Sequence, residues 1–438
     1  MRLQPRRWFM VRRLYEPQFQ ERLLLLLLVA IAGYYLVWSA TQWVTLTPTA
    51  LRFDFVNYFG GAQAAAHGTD IYAAFKRGWG SEAWVVAYIY PPFFAELLAP
   101  LTPLGLVAAA RIWLLAVHAA FFVALVLLIR INPELSRAGR RLFLVAAIGF
   151  MPVYLNLKFQ QVATLWLLLL ALTLWAALRR RDGIGGLALA MSASLKVGPV
   201  FFIPLLARVD RRRMAVLGAG ILVGMTVITM LRAPGSWQFF TVVLPRIGLG
   251  TANWDNGSIN GLISRIVGLS PTLFGGATQT VAKGVIATSA VALIGATIWH
   301  ARGGDPRWRI RLGVAALTAA LLMASSVTWQ HHLVTLLLPL ATGMAWIAAR
   351  RPPARYGWLL TGAYALCWID RRVFPLPADL HVHNAGQAAL MLAGTSVKLA
   401  GLFLIWGLLI QMLRLERRAA LLRQPERPAE PRPTTTAA

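Results

Sequence analysis

Acidic side chains are scarce: 16 Asp and Glu stand against 43 Lys and Arg in 438 residues. Cysteine is nearly absent, and the lone Cys367 excludes an intramolecular disulfide and any cysteine-built metal cluster. It lies in an apolar run and reads as packing. No polar stretch is long enough for a separate globular domain. Glycine-rich phosphate loops of the Walker or dinucleotide type are missing, which argues against a cytosolic ATP or nucleotide-sugar enzyme. The Gly-x-Ser-x-Gly nucleophile elbow is missing too. Metal ligands are not arrayed. His331 and His332 are adjacent, about 100° apart on a helix, and cannot chelate one ion from one face. His381 and His383 have only Asp379 near them, and His67, His118 and His300 are scattered. No metal or other cofactor is expected.

Hydrophobic residues fill what the charges leave. They make up 58 % of the chain, charged residues only 13 %, and the mean hydropathy is +0.60. A soluble domain carries about 25 % charge. Apolar runs long enough to span a bilayer recur from end to end, so the expectation is an all-α polytopic membrane protein, one multi-span domain over residues 22–415. Hydropathy suggests about twelve helical crossings or half-crossings. Residues 1–21 read as a basic cytoplasmic N-terminus before a retained first span, since the run 23–44 is too long for a signal peptide. Residues 416–438 read as a disordered cytoplasmic tail, Pro-, Arg- and Glu-rich after Gln424.

The formal charge of +27 does not point to nucleic acid, because the arginines sit in short clusters between apolar runs, as cytoplasmic loops do. Arg130 with Arg137, Arg140 and Arg141 form one cluster; Arg179 to Arg181 and Arg208 with Arg211 to Arg213 form others, as do segments 302–311, 350–355 and the stretch after Arg414. With these inside, segments 47–92, 152–161, 233–270, 325–332 and 371–387 face outside. Two stretches resist simple crossing. Residues 93–100 are expected as a short helix ahead of a span over 106–129. Segment 183–207 has arginines at both ends, so it is expected to break at Lys196-Val197-Gly198-Pro199, with Lys196 at the apex of two short helices. Both termini are then cytoplasmic.

The two long outer loops, 47–92 and 233–270, hold most of the polar chemistry. A loop of such length implies function or added helices. Phe55, Phe59, Ala62 and Ala66 share one helical face, as do Ile259, Leu262, Ile263 and Ile266, suggesting amphipathic helices, the first lying on the bilayer. Asp54, at the mouth of the first span, reads either as a functional acid or as a solvated loop residue. Lys196 needs a partner at the apex of an intramembrane break, or else snorkels to the interface. Tyr88, Tyr90, Pro91 and Pro92 read first as a loop terminus anchored at the headgroups. His331 and His332, after Trp329, fit an interfacial belt or a site. Asn256, Ser258 and Asn260, beside Trp254, offer sugar contacts or a cap ahead of Ile259. For displacement at a lipid-linked phosphate, Asp54 supplies a base. Lys196, Lys158, Arg246, Arg265, His331 and His332 are the cations and imidazoles available to a departing phosphate.

Taken in order, Asp54-Phe55-x-x-Tyr58 with Gly68-x-x-x-Tyr72, then Tyr90-Pro91-Pro92, resembles the opening of glycosyltransferase family 87. That family comprises polyprenyl-phosphate-mannose-dependent α-1,2-mannosyltransferases and arabinofuranosyltransferase relatives of the GT-C superfamily. Gln161-Val162, Lys196-x-x-Pro199, Asn256-x-Ser258-x-x-Gly261 and Trp329-x-His331-His332 follow in the family's order, so the similarity runs over about 54–339. The chain departs at Gln160, where the family often has Gly, and after Ala349 no motif is shared. The resemblance implies a metal-independent, inverting transferase acting at the outer face of the cell membrane, with no nucleic-acid partner. Its donor would be a polyprenyl-phosphate sugar, its acceptor a glycolipid or glycan. The resemblance maps the base onto Asp54 and a donor-phosphate or acceptor-positioning role onto His331 and His332; Lys196, Tyr58, Tyr90, Gln161, Asn256, Ser258 and Arg265 are the further donor-phosphate or substrate-binding candidates. The competing reading is a polytopic transporter or lipid-linked oligosaccharide flippase, which would place its site near the midplane and show repeats; no convincing repeat is found.

Overall fold

The computed structural model describes residues 17–47, 54–78, 87–370 and 384–422. Most of the basic N-terminus, His381, His383 and the tail from 423 on lie outside the described residues. Apart from one four-residue extended piece, Leu273–Gly276, the described elements are helices. In chain order they are α1 Pro17–Val44, α2 Asp54–Ala66, α3 Ala73–Gly78, α4 Pro92–Leu98, α5 Leu106–Ile131, α6 Arg137–Ile148 and α7 Met151–Lys158. Then come α8 Ala163–Arg179, α9 Asp182–Leu195, α10 Phe202–Arg208, α11 Arg212–Arg232, α12 Leu244–Gly248 and α13 Ile259–Leu269. The last are α14 Thr278–His300, α15 Pro306–Ala324, α16 Leu337–Arg350, α17 Arg355–Trp368 and α18 Ala385–Leu422.

Among the described residues six helices are long and apolar enough to cross a membrane: α1, α5, α11, α14, α16 with its preceding 3₁₀ turn, and α18. The pair α6 and α7, bent by 44°, makes a seventh if counted as one span. The expected twelve is not reached by full-length spans, because several apolar runs fold as shorter helices, among them α8, α9 and α13. The protein is an integral membrane protein. Its outer surface is apolar where lipid would lie: Leu26, Val29, Leu36 and Val37 of α1 are each more than 60 % exposed.

Lipid tails are as apolar as leucine, so burial alone does not drive helices together there; close packing and polar bonds do. Between α9 and α11 the chain uses small residues. A side-chain carbon at Gly186 would come 3.0 Å from the backbone nitrogen of Gly218, so only glycine lets the two backbones approach. At the centre runs α15, buried along nearly its whole length. Its Arg311 is held by Glu134 at 2.7 and 2.8 Å and by Asn132 at 2.6 Å. Asp305 starts this helix by accepting from the backbone N–H groups of Arg307 and Trp308.

Both irregular stretches break where their sequence says. The short helix α4 precedes a 3₁₀ turn over Ala99–Leu104 and then the full span α5. Helix α9 stops at Lys196, whose backbone is extended (φ −148°, ψ 134°), and the chain resumes in a 3₁₀ turn containing Pro199. Proline offers no N–H to continue a helix. Two further expectations fail. Helix α2 does not lie on a bilayer: Phe55, Tyr58, Phe59 and Ala62 bury its apolar face against α4, the following 3₁₀ turn and α5. Nor does the tail begin at 416. Helix α18 runs on to Leu422, because Glu416 is buried between Arg350, at 2.7 and 2.8 Å, and the Trp346 indole N–H.

Candidate functional site

A single cavity of about 710 Å³ gathers Asp54, Tyr90, Gln161, Trp166, Lys196 and His332. Asp54 stands in the first turn of α2, where the helix dipole favours an anion. Gln161 sits in the turn between α7 and α8. Its side-chain carbonyl accepts from the Tyr58 hydroxyl at 2.9 Å and from the Tyr90 hydroxyl at 3.3 Å. That leaves its amide N–H groups for Asp54, to which it is hydrogen-bonded. Tyr90 is fixed in turn by Tyr72, whose hydroxyl donates to the Tyr90 carbonyl at 2.7 Å.

The turn that aims Gln161 is tightly held. Its backbone N–H donates to the Asn156 carbonyl at 2.8 Å, and the Asn156 side chain accepts from Ala163 N–H. Gln160 takes φ +53°, a left-handed conformation that costs a non-glycine residue about 1 kcal/mol. Glycine would take that backbone without this cost. Here Trp113 compensates, donating its indole N–H to the Gln160 carbonyl at 2.7 Å. The same ring packs on Phe55 and Tyr58 of α2, so one side chain ties the Asp54 helix to the Gln161 turn. Nothing in the linear sequence marks Trp113 for this.

Asp54 lies outside the membrane-spanning helices. Burial pushes its carboxyl up from 3.8 to about 6, although the Gln161 bond and the Lys196 charge pull it back. Opposite stands Lys196, in contact with His332 Nε2 and 5.3 Å from the centre of the Trp166 ring. Lys196 does not snorkel; it points inward. The His332 ring donates to the Val327 backbone, with Nδ1 3.3 Å from the Trp329 nitrogen, and this leaves Nε2 as the acceptor that faces Lys196. His331 packs edge-on against it, ring centres 4.5 Å apart, but does not line the cavity. Both rings are buried, so they form no interfacial belt. Headgroup anchoring by Tyr88 and Tyr90 is likewise overturned, since Tyr88 is 3 % exposed and Tyr90 faces the cavity.

The other expected binders stand elsewhere. Asn256 is saturated: its carbonyl accepts from Ser258 and from Thr328 N–H, and its amide donates to the Thr251 and Ser326 carbonyls. Ser258 caps α13 by accepting from Gly261 N–H at 3.1 Å. Arg265 braces the same loop, donating to the carbonyls of Asn253 and Asn256. Asn260 donates to the Leu249 carbonyl. These residues build the wall that carries Ser326 and Thr328 rather than lining the cavity themselves. Lys158 and Arg246 lie outside it as well, beside the rings of Phe159 and Phe75. Among the described residues no three His, Cys, Asp or Glu side chains converge on one point.

The sequence profile of glycosyltransferase family 87 matches residues 88–326, more than half of the chain. The chain belongs to glycosyltransferase family 87. The matched stretch holds Tyr90, Gln161 and Lys196; Asp54 and the histidine pair lie beyond its ends. A polyprenol-phosphate-mannose-dependent alpha-(1-2)-phosphatidylinositol pentamannoside mannosyltransferase of Mycobacterium tuberculosis (strain CDC 1551 / Oshkosh) is 28 % identical, over 82 % of this chain and 81 % of its own. An alpha-(1->3)-arabinofuranosyltransferase of the same strain is 32 % identical over 43 % of this chain and 45 % of its own. Among solved structures, ArnT from Cupriavidus metallidurans bound to undecaprenyl phosphate covers 89 % of this chain and 78 % of its own at 14 % identity, with a TM-score of 0.41. Family membership makes this chain a membrane glycosyltransferase.

Proposed function

We propose that the enzyme moves a sugar, mannose or arabinofuranose, from a polyprenyl-phosphate donor to a lipid-linked or glycan acceptor at the outer face of the membrane. The observation that carries this reading is the make-up of the cavity. A carboxylate and an amine face one space, and Phe201, Phe239, Leu244, Ile247 and Ile294 add an apolar wall to it. Such a wall suits a prenyl chain, and the polar end suits a sugar phosphate. Mannose is favoured as the sugar, since the mannosyltransferase relative aligns along most of the chain and the arabinofuranosyltransferase along less than half.

The reaction is a displacement with inversion. The Asp54 carboxylate takes the proton of the acceptor hydroxyl as its oxygen bonds to the anomeric carbon. The bond from that carbon to the phosphate oxygen breaks, and the electron pair leaves with the phosphate. Lys196 lies where that negative charge develops, and His332 holds Lys196 in place. Gln161, steadied by Tyr58 and Tyr90, orients the base. No metal is needed to activate a sugar already esterified to phosphate. On this reading the bundle is of the GT-C type, with about twelve crossings and half-crossings and both termini cytoplasmic.

The test is sugar transfer in proteoliposomes from a panel of radiolabelled polyprenyl-phosphate sugars, with product linkage determined. Transfer from polyprenyl-phosphate mannose or arabinofuranose, with inverted anomeric configuration, is expected. Retained configuration, or transfer only from a nucleotide sugar, overturns the proposal.

A further inference from the structure

We propose a second site, at the end of the bundle opposite the cavity, where Arg208, Arg302, Arg414 and Arg417 with His300 bind the phosphate headgroup of an anionic membrane lipid. Helices α14 and α15 meet at this end through the short link 301–305, while Ala324, at the other end of α15, lines the cavity. Three helices bring the cations together: α10 supplies Arg208, α14 supplies His300, and the last turns of α18 supply Arg414 and Arg417. The guanidinium of Arg302 stacks 3.5 Å from the centre of the Trp299 ring. Arg414 donates to His300 Nε2 at 3.1 Å. The stem of Arg417 lies against Gly303, and the Glu416–Arg417 backbone against Gly304. Arg417 and Arg208 stand close enough to Arg302 for their charges to repel it.

Like charges grouped this way attract an anion, and nearby acids do not supply one. Glu416 is taken by Arg350 and Trp346, Asp210 by Arg309, and Asp305 caps α15. Among the described residues none of these four arginines has an ion pair. Position selects a lipid rather than a soluble anion. Helix α14 is only 11 % buried over its apolar window, and Trp299 at its end is 56 % exposed, as an interfacial ring would be. Acyl chains lying along α14 would bring a phosphate to the stacked guanidinium, a planar donor suited to two-pronged phosphate bonds.

The experiment compares retention of phosphatidylglycerol and phosphatidylcholine on the purified full chain by native mass spectrometry. Its variants are Arg302→Gln/Arg417→Gln and, as a control at a different basic cluster, Arg179→Gln/Arg181→Gln. Wild type is expected to prefer phosphatidylglycerol. Each arginine lost from the site should cut that preference about fivefold, while the control keeps it. Equal losses in both variants would mean diffuse surface charge and overturn the site. So would an absent preference in wild type. A third arm adds glycerol phosphate; competition at the same concentration as the lipid overturns the lipid assignment. If the glutamine variant does not fold, Arg302→Lys/Arg417→Lys keeps the charge but loses the fork, and an unchanged preference there refutes the proposal.

Discussion

Replacing Asp54 with Asn separates catalysis from folding more cleanly than any other change in this enzyme. Asn keeps the size and much of the shape but cannot take a proton. General-base catalysis is worth about 10²–10⁴-fold, so turnover per folded molecule should fall by that factor. Stability should move the other way. Burial raises the Asp54 carboxyl from 3.8 to about 6, so the folded state holds a proton that the unfolded chain gives up between those values. Below pH 3.8 both states are protonated and the side chain costs nothing on this account; above pH 6 the full penalty applies, at most about 3 kcal/mol for that rise. The Asn variant should therefore melt no lower than wild type at pH 7.5, and any advantage should shrink toward pH 4. The same shift gives wild-type kcat/KM an acid limb near pH 6, because only the ionised carboxyl accepts a proton. The assay is transfer in proteoliposomes, normalised to folded protein by size-exclusion chromatography, beside melting curves from pH 4 to 8. An Asn variant that still transfers at near wild-type rate, or loses activity only as folded protein is lost, refutes the base.

Three further outcomes are expected. Lys196→Met should weaken donor binding by about ten- to a hundred-fold, the worth of a hydrogen bond to a charged group; unchanged donor affinity in the purified variant would remove Lys196 from the site. Ser258→Ala should lower stability by about 1 kcal/mol through the lost cap on α13 while leaving activity per folded molecule intact, and a selective rise in KM would show that Ser258 meets substrate after all. Transfer should persist in EDTA; loss of turnover that added Mg²⁺ or Mn²⁺ restores would reveal a metal the mechanism omits.

Much of the site was legible as a set of residues and little of it as a geometry. Asp54 and Lys196 stood out because charge is rare in so apolar a chain, Tyr90 and Gln161 through the family resemblance, and Pro199 marked the break that presents Lys196. His331 and His332 were equivalent in sequence. Only the 3₁₀ turn over Gln330–Leu336 sends one ring into the cavity and leaves the other packed behind it. Asn256 and Ser258 looked equally suited to sugar and to capping; in the fold Ser258 caps α13 through Gly261 and Asn256 holds Thr328 and Ser326. Trp113 was invisible, since its role depends on lying between two segments distant in the chain.

By itself the sequence determined the solvent this protein lives in, the places where its helices break, and the short supply of acids from which any base must be drawn. Hydropathy and proline act locally, so a linear reading recovers them. The tertiary structure alone decided which of the available cations meets the acid. Lys196 and His332 are 136 positions apart, and Tyr58 and Gln161 are 103 apart. No periodicity encodes such pairings; they follow from how α2, the α7–α8 turn, the break after α9 and the turn before α16 pack around one cavity.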